Sequence, residues 1–303
     1  MRDKKQTGKP ASWWLVILAA LAALLAAWFA GSSRHSAVGP ERQAVKPAPL
    51  PANRPTDRPT SPSTPQATPT TPLVRLGAKA YLLDGYPEIP EGQAKAVIDQ
   101  LDDRARQGDS HAALLIYLKI DQCLRAFRDQ NDPDTLVVAA EALGSVEAAL
   151  EEQGKRRSQC EGLSEQDYSR RGEWLSLAAD LGNPFAQLTY SMLPANVLGS
   201  LAEVVRQPER LFDYKRRAVT YLHRAAASGN VNALDRLAQV YSDGYLAPVD
   251  PVLARSYQLA ARRANPGTER PDAEEAENKL DSKQRAEAAR MAKEIYHECC
   301  EIK

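Results

Sequence analysis

A short helical pattern centred on a glycine recurs along this chain and restricts the folds open to it. The clearest copy runs from Tyr221 to Gly244, where Ala226 precedes Gly229 by three residues and Ala233 follows it by four. Glycine readily adopts the left-handed conformation that ends a helix, and Asn230 can cap the helix that follows. Because two short helices cannot bury their apolar faces alone, the pattern predicts a stack of helical hairpins.

The same spacing occurs at two earlier glycines, each followed directly by Asp or Asn. The helix-crossing and turn positions are Ala105, Gly108 and Ala112 in the first copy, Ala179, Gly182 and Ala186 in the second, and Ala226, Gly229 and Ala233 in the third. A degraded fourth copy lies at Ala261, Ala264 and Asn265. A methyl side chain at a crossing lets two helix backbones approach closely. We therefore expect tightly crossed helices at each copy.

The combination of alanines, a turn glycine, Asn or Asp, and a further alanine resembles the Sel-like repeat family, which is related to the tetratricopeptide repeats. The resemblance is best over Trp174–Tyr190 and Tyr221–Ala261 and weaker around Gly108. It implies an all-α solenoid over residues 79–303 and a protein-binding scaffold, often in the bacterial envelope. Some cysteine-rich members are linked to penicillin binding, but their regularly spaced cysteine pairs are absent here. That activity is therefore not carried over.

The run from Ser12 to Ala30 has the composition of a membrane-spanning helix. It carries no charge, and its 19 residues would span roughly 28 Å, close to the ~30 Å hydrocarbon layer. The alternative is a cleaved signal peptide, whose cleavage site needs small residues. Trp28 and Phe29 stand where those residues are expected. We therefore expect a retained anchor.

Basic residues precede the apolar run: Arg2, Lys4, Lys5 and Lys9. The positive-inside rule then places residues 1–11 in the cytoplasm and the repeat domain in the periplasm, which predicts a single-pass protein of the bacterial inner membrane. Small residues, including Ala22 and Ala26, share one face of the predicted membrane helix. They could support a homodimer through this helix, although alanine is also a common membrane filler.

Residues 31–78 are predicted to form a disordered linker, because prolines recur among Thr, Ser and Ala and large apolar side chains are few. A spacer between the anchor and the folded domain is the favoured interpretation. A ligand for a proline-reading domain is the alternative.

Helix-start and helix-end signals divide the domain that follows. Pro90 is expected to begin the first helix, and Asp132 with Pro133 another, which either breaks at Gly144 or continues to Glu152. Ser164 and Asp167 match a capping box for the helix that ends at Gly182, and Asn183 with Pro184 begins its partner. The charged C-terminal helix is expected to cap the repeats.

An insertion of about ten residues follows Met192, relative to the repeat period. Insertions in repeat proteins usually lie on one face and can bind partners. The favoured interpretation is a loop or short helix whose apolar residues pack on the neighbouring repeat: Val197, Leu198, Leu201 and Val204.

The chain has four cysteines, Cys123, Cys160, Cys299 and Cys300. In an oxidising compartment they are expected to pair, and a disulfide between Cys123 and Cys160 would clamp the least regular repeat. Cys299 and Cys300 could form a vicinal disulfide, remain thiols or pair with another chain. His297 and Cys300 are spaced for one helix face, but structural zinc normally needs four ligands, so no metal is predicted.

Charge and motifs argue against several functions. The 39 basic and 39 acidic side chains balance, whereas nucleic-acid binding usually needs a concentrated basic surface. Nucleophile elbows, phosphate-binding glycine loops and zinc-protease motifs are absent from the sequence. We therefore predict no cofactor and no enzyme activity, but a periplasmic scaffold that binds another envelope protein. The alternatives are an envelope enzyme or glycan-binding protein with a site in the groove, or an assembly factor for a membrane complex.

Overall fold

The computed structural model describes residues 72–128, 132–267 and 280–301. All of them lie in the unit Gln66–Lys303. The predicted cytoplasmic tail, membrane helix and most of the linker lie outside the described residues. No helix within the described ranges is long and apolar enough to cross a membrane.

The described chain is mostly helical, in agreement with the all-α fold class. A small antiparallel sheet comes first, with strands β1 (Leu73–Arg75) and β2 (Tyr81–Leu83). The helices that follow are α1 (Ala94–Arg106), α2 (Ser110–Arg128), α3 (Pro133–Leu143), α4 (Val146–Ser158), α5 (Glu165–Ser169), α6 (Arg171–Asp180), α7 (Pro184–Met192), α8 (Pro194–Leu198), α9 (Leu201–Arg206), α10 (Pro208–Ala227), α11 (Val231–Asp243), α12 (Pro251–Ala264) and α13 (Ser282–Cys300).

Antiparallel hairpins form the body of the domain and pack on one another in chain order. The hairpins are α1 with α2, α6 with α7 and α10 with α11, and they meet through α2 against α6 and α7 against α10. Helix α12 then packs between α11 and α13. A single apolar cluster runs through these helices, from Val97 near the start to Cys300 at the end.

The three repeat turns have the same backbone structure. Gly108, Gly182 and Gly229 have φ values of 101°, 87° and 102°. In each turn the glycine N–H donates to the carbonyl of the alanine three residues before it. The alanines at the crossings are buried, between 0 % and 6 % exposed: Ala105, Ala112, Ala179, Ala186, Ala226 and Ala233. The recurrent sequence pattern thus produces a recurrent local structure.

Helices α3 and α4 form a hairpin of their own, which we call the arm. Asp132 caps α3, and Gly144 ends it with φ 87°, in the left-handed conformation. Ser145 then caps α4. The structure therefore has the break at Gly144, and not one helix that continues to Glu152.

A disulfide closes the base of the arm. The sulfur atoms of Cys123, on α2, and Cys160, two residues after the end of α4, lie 2.09 Å apart. Both side chains are buried beside Ala94, and the Ala94 N–H donates to the carbonyl of Gln159. The sulfurs of Cys299 and Cys300 lie 2.21 Å apart, in a vicinal disulfide at the end of α13.

Three helix starts differ from the sequence-based expectation. Helix α1 begins at Ala94 rather than at Pro90 and has no side-chain cap. The capping box of Ser164 and Asp167 is present, but it begins the short helix α5, and the next helix starts separately at Arg171. Asn230 makes no side-chain cap for α11, because β2 covers this turn and Asn230 lies fully buried beneath it.

The small sheet was not predicted from the sequence. Residues 73–75, assigned there to the end of the linker, form β1 and pair with β2. Strand β2 in turn lies along the third repeat turn, where the Tyr81 N–H donates to the Gly229 carbonyl at 2.9 Å and the Leu83 N–H to Asn232 Oδ1 at 2.8 Å. These bonds attach the start of the domain to its third hairpin.

Candidate functional site

An open cavity of about 450 Å³ lies between the second and third repeat hairpins. Helices α6, α7, α8 and α10 form its walls. Its lining residues include apolar, aromatic and charged side chains: Gly172, Glu173, Ser176, Leu177, Asp180, Tyr190, Val197, Leu198, Arg210, Asp213, Tyr214 and Arg217. We call this cavity the groove.

Helix α8, from the insertion, forms one wall of the groove and is fixed by close packing. A Cβ atom on Gly172 would lie 2.4 Å from the Asn196 carbonyl oxygen, so only glycine lets α8 approach α6 at this point. The Asn196 amide donates to the Tyr117 hydroxyl at 2.7 Å and accepts from Arg171 at 3.0 Å. Arg171 is itself paired with Asp121. Helix α8 of the insertion is therefore packed as an integral part of the domain.

Only part of the insertion packs as the sequence predicts. Leu198 is buried, and Val197 and Val204 pack against the main apolar cluster. Leu201 was expected to pack with them, but it is 79 % exposed. It lies on α9, whose six residues include no buried side chain. The prediction for Leu201 is wrong, because α9 lies at the surface, packs mainly on α10 and buries none of its own residues.

Tyrosines form the floor of the groove. The rings of Tyr190 and Tyr214 stack with centroids 5.2 Å apart, and the Tyr214 hydroxyl donates to the Tyr190 carbonyl at 3.0 Å. The ring of Tyr221 meets Tyr190 edge-on at 5.0 Å. Both Tyr190 and Tyr214 are about 1 % exposed, so they support the groove rather than project into it.

An ion pair lies at the rim above these tyrosines. Arg217 on α10 contacts Asp180 at the end of α6, with 2.8 Å between nitrogen and oxygen. Tyr221 donates its hydroxyl to Asp180 and accepts from Arg217. The guanidinium also lies 5.6 Å from the centre of the Tyr190 ring. This network joins the second hairpin to the third at the edge of the groove.

Burial raises the pKa of Tyr190, Tyr214 and Tyr221 above the ordinary tyrosine value. Their hydroxyls therefore stay protonated and neutral near neutral pH. As neutral groups they donate hydrogen bonds and supply apolar surface, and they do not act as bases at that pH. The chemistry that these tyrosines offer is binding.

The turn, crossing and cysteine positions that the sequence singled out lie outside the groove, whereas Val197 and Leu198 of the insertion line it. None of the repeat-turn and crossing positions lines the groove, and Cys123 and Cys160 lie at the base of the arm. His297 contacts Glu301 at 2.6 Å, while Cys300 is bonded to Cys299. No group of His, Cys, Asp and Glu able to hold a metal occurs in the part of the chain that the structure describes.

Sequence reasoning missed the charged rim of the groove. Arg217 and Tyr221 are four residues apart on α10, a spacing that places both side chains on one helix face. Their partner Asp180 lies 37 residues before Arg217, on another hairpin. The helical spacing was a usable signal, but the contact with Asp180 depends on how the hairpins stack.

Comparison with known proteins gives no match to this chain, either among protein-family models or among curated proteins.

Proposed function

We propose that this chain is a Sel-like helical-repeat scaffold that binds a segment of another envelope protein in the groove between its second and third hairpins. The observation that carries the proposal is the groove itself, an open cavity of about 450 Å³ with walls from the second hairpin, the third hairpin and the insertion. Concave faces of stacked helical hairpins are common binding surfaces in repeat proteins.

The lining of the groove favours a protein segment as its ligand. Arg210 stands among acidic side chains at Glu173, Asp180 and Asp213, so charges of both signs surround the opening. A peptide can match such a mixed rim with its own side chains and backbone. Stacking on a sugar would need exposed aromatic faces, and Tyr190 and Tyr214 are buried.

The proposed location is the periplasmic side of the bacterial inner membrane, with the repeat domain held by an anchor at residues 12–30. The support for it is the uncharged apolar run and the basic residues that precede it. Carbonate extraction of membranes should leave the full-length chain in the pellet. Recovery of the chain in the soluble fraction would contradict the anchor.

The binding proposal is tested by site-specific photo-crosslinking of the full-length chain in cells. A photoreactive residue replaces Glu173 or Asp213, which are exposed and line the groove. The matched control replaces Arg224, which is exposed on the same helix as Asp213 and does not line the groove. We expect one dominant protein to be captured from both groove positions and not from Arg224.

The result that overturns the proposal is capture of the same proteins from Arg224 as from the groove, or of none from the groove. A charge-reversal variant, Arg210→Glu, tests whether the captured protein is bound specifically in the groove or is crosslinked in random encounters. Arg210 makes one long side-chain hydrogen bond, to the Val197 carbonyl at 3.3 Å, so the fold should tolerate its loss. We expect the crosslinked product to decrease at least several-fold in this variant.

A further inference from the structure

We infer that the arm, α3 with α4, is a dimerisation element that packs against the arm of a second copy of this chain. The first observation is its surface. Helix α3 contains no buried residue although most of its sequence is apolar, and Ala149 is the one buried residue in α4. The exposed aliphatic side chains of the arm are 49–65 % exposed: Val137, Val138, Leu143, Val146 and Leu150.

The domain does not use this apolar surface. The main packing of the arm on the rest of the described chain is between α4 and α2, next to the disulfide at the base. Val146 and Leu150 are one turn apart, so they share one face of α4. Exposed aliphatic side chains that share a helix face and that their own domain leaves uncovered mark an interaction surface.

The charges of α4 favour a second copy as the occupant. Its first half carries acids, including Glu147 and Glu151, and its second half carries bases, including Lys155 and Arg157. No ion pair engages these four side chains within the described ranges, whereas the neighbouring Glu152 is paired with Arg156. Two α4 helices related by a two-fold axis and running antiparallel would place the acids of each beside the bases of the other.

A glycine on the same face fits this arrangement. Gly154 follows Leu150 by one turn, is exposed, and has no atom within 4 Å of the position of a Cβ. In the antiparallel pairing that brings Glu147 near Arg157, Leu150 of one copy lies over Gly154 of the other. A glycine at the contact leaves room for the large side chain of the facing helix, so the two helices can approach closely. The two arms together would form an antiparallel four-helix bundle.

The interface is small, and this sets its strength. Helix α4 has 13 residues, so it is about 20 Å long at ~1.5 Å per residue. An interface of that length buries an area at the lower end of the range for specific protein–protein interfaces. We expect a dissociation constant in the roughly micromolar range. A membrane surface shared by the two copies would favour the dimer.

The test uses charge reversal in the full-length chain in detergent micelles, measured by sedimentation equilibrium and by energy transfer between donor- and acceptor-labelled molecules. The basic variant carries Glu147→Lys and Glu151→Lys, and the acidic variant carries Lys155→Glu and Arg157→Glu. We expect each variant alone to be monomeric at concentrations where the natural chain is dimeric. A mixture of the two should form heterodimers, because each arm then meets opposite charge.

Controls separate this dimer from other causes. Glu287→Lys on the exposed face of α13 makes the same change of charge as each single substitution of the basic variant but lies off the arm, and should leave the dimer unchanged. Helical circular dichroism checks that all variants fold. A natural chain that stays monomeric at tens of micromolar would overturn the proposal. So would a dimer that persists in both charge variants, which would assign the interface to residues 12–30 or another surface, or a mixture that forms no heterodimer.

Discussion

The backbone N–H of Tyr81 donates to the carbonyl oxygen of Gly229 at 2.9 Å, which fastens the first described segment of the chain to the third repeat turn. A Cβ on Gly229 would lie 2.2 Å from the Lys79 carbonyl oxygen. At Gly182, in the equivalent turn of the second repeat, no atom lies within 4 Å of that position. The same turn therefore has a different steric environment in the two repeats.

We predict that Gly229→Ala destabilises the domain more than Gly182→Ala does. Both substitutions put an alanine in the left-handed region, at a cost of about 1–2 kcal/mol each. Only Gly229→Ala also displaces the segment before β2, so its loss should be larger by at least about 1 kcal/mol. Urea unfolding followed by circular dichroism measures both values. Equal losses for the two variants would show that β2 does not depend on this contact.

Much of the repeat structure follows from local sequence, and this is why it was predictable. A glycine with positive φ and a buried alanine one turn away need only neighbouring residues, and the turns at Gly108, Gly182 and Gly229 repeat them. The break at Gly144 is equally local, since Ser145 directly supplies the next cap.

The contacts between hairpins, including those that build the groove, depend on how the helices stack. They could not be predicted from local sequence. Strand β2 has three residues, too few to show an alternating pattern, and its place against Gly229 is set by the folded third hairpin. Asp180 meets Arg217 only because α6 and α10 come together. The sequence separation of Gly172 and Asn196 likewise gives no indication that these two residues are in contact.

A disulfide across the base of the arm should hold the arm to the domain. In the loop-entropy description, closing the 37-residue separation of Cys123 and Cys160 contributes about 4 kcal/mol. We predict that the double variant Cys123→Ser, Cys160→Ser unfolds at lower urea concentration and that amide exchange becomes faster in α3 and α4 first. Peptide mapping without reduction checks the pairing. A peptide joining Cys160 to Cys299 or Cys300 would contradict it.

Gly172 is expected to control the position of α8. We predict that Gly172→Ala destabilises the domain by about 1–3 kcal/mol, because the new methyl group would push the Asn196 backbone outward. The control is Gly154→Ala, also within a helix but with open space around it, where alanine should stabilise by up to about 1 kcal/mol. Unfolding is measured at submicromolar concentration so that only the monomer is compared.

The same Gly172→Ala variant should reduce capture of a partner from the groove, because α8 forms one of its walls. Photo-crosslinking from position 213 measures this effect separately from stability. Unchanged capture from a destabilised but folded variant would place the binding surface away from α8.

His223 should make the stability of the domain depend on pH. The ring lies between two tyrosine hydroxyls, with Nδ1 3.3 Å from Tyr257 and Nε2 3.3 Å from Tyr241. Burial lowers the pKa of His223 below its ordinary value of 6.5, while the smaller effect of nearby Glu298 is in the opposite direction. The unfolded chain therefore binds a proton more readily than the folded chain as the pH falls below about 6.5.

We predict that the free energy of unfolding is highest above pH 6.5 and decreases on acidification toward pH 5, by up to about 1.4 kcal/mol per pH unit for one proton. His223→Gln keeps a hydrogen-bonding side chain but cannot titrate, so it should flatten this slope. The comparison is His297→Gln, the same substitution at a side chain that is 60 % exposed. Urea unfolding at pH 5.0 to 7.5 gives the slopes. If His223→Gln and the natural chain lose stability equally, burial of His223 is not the source, and His111, whose pKa burial also lowers, becomes the residue to substitute next.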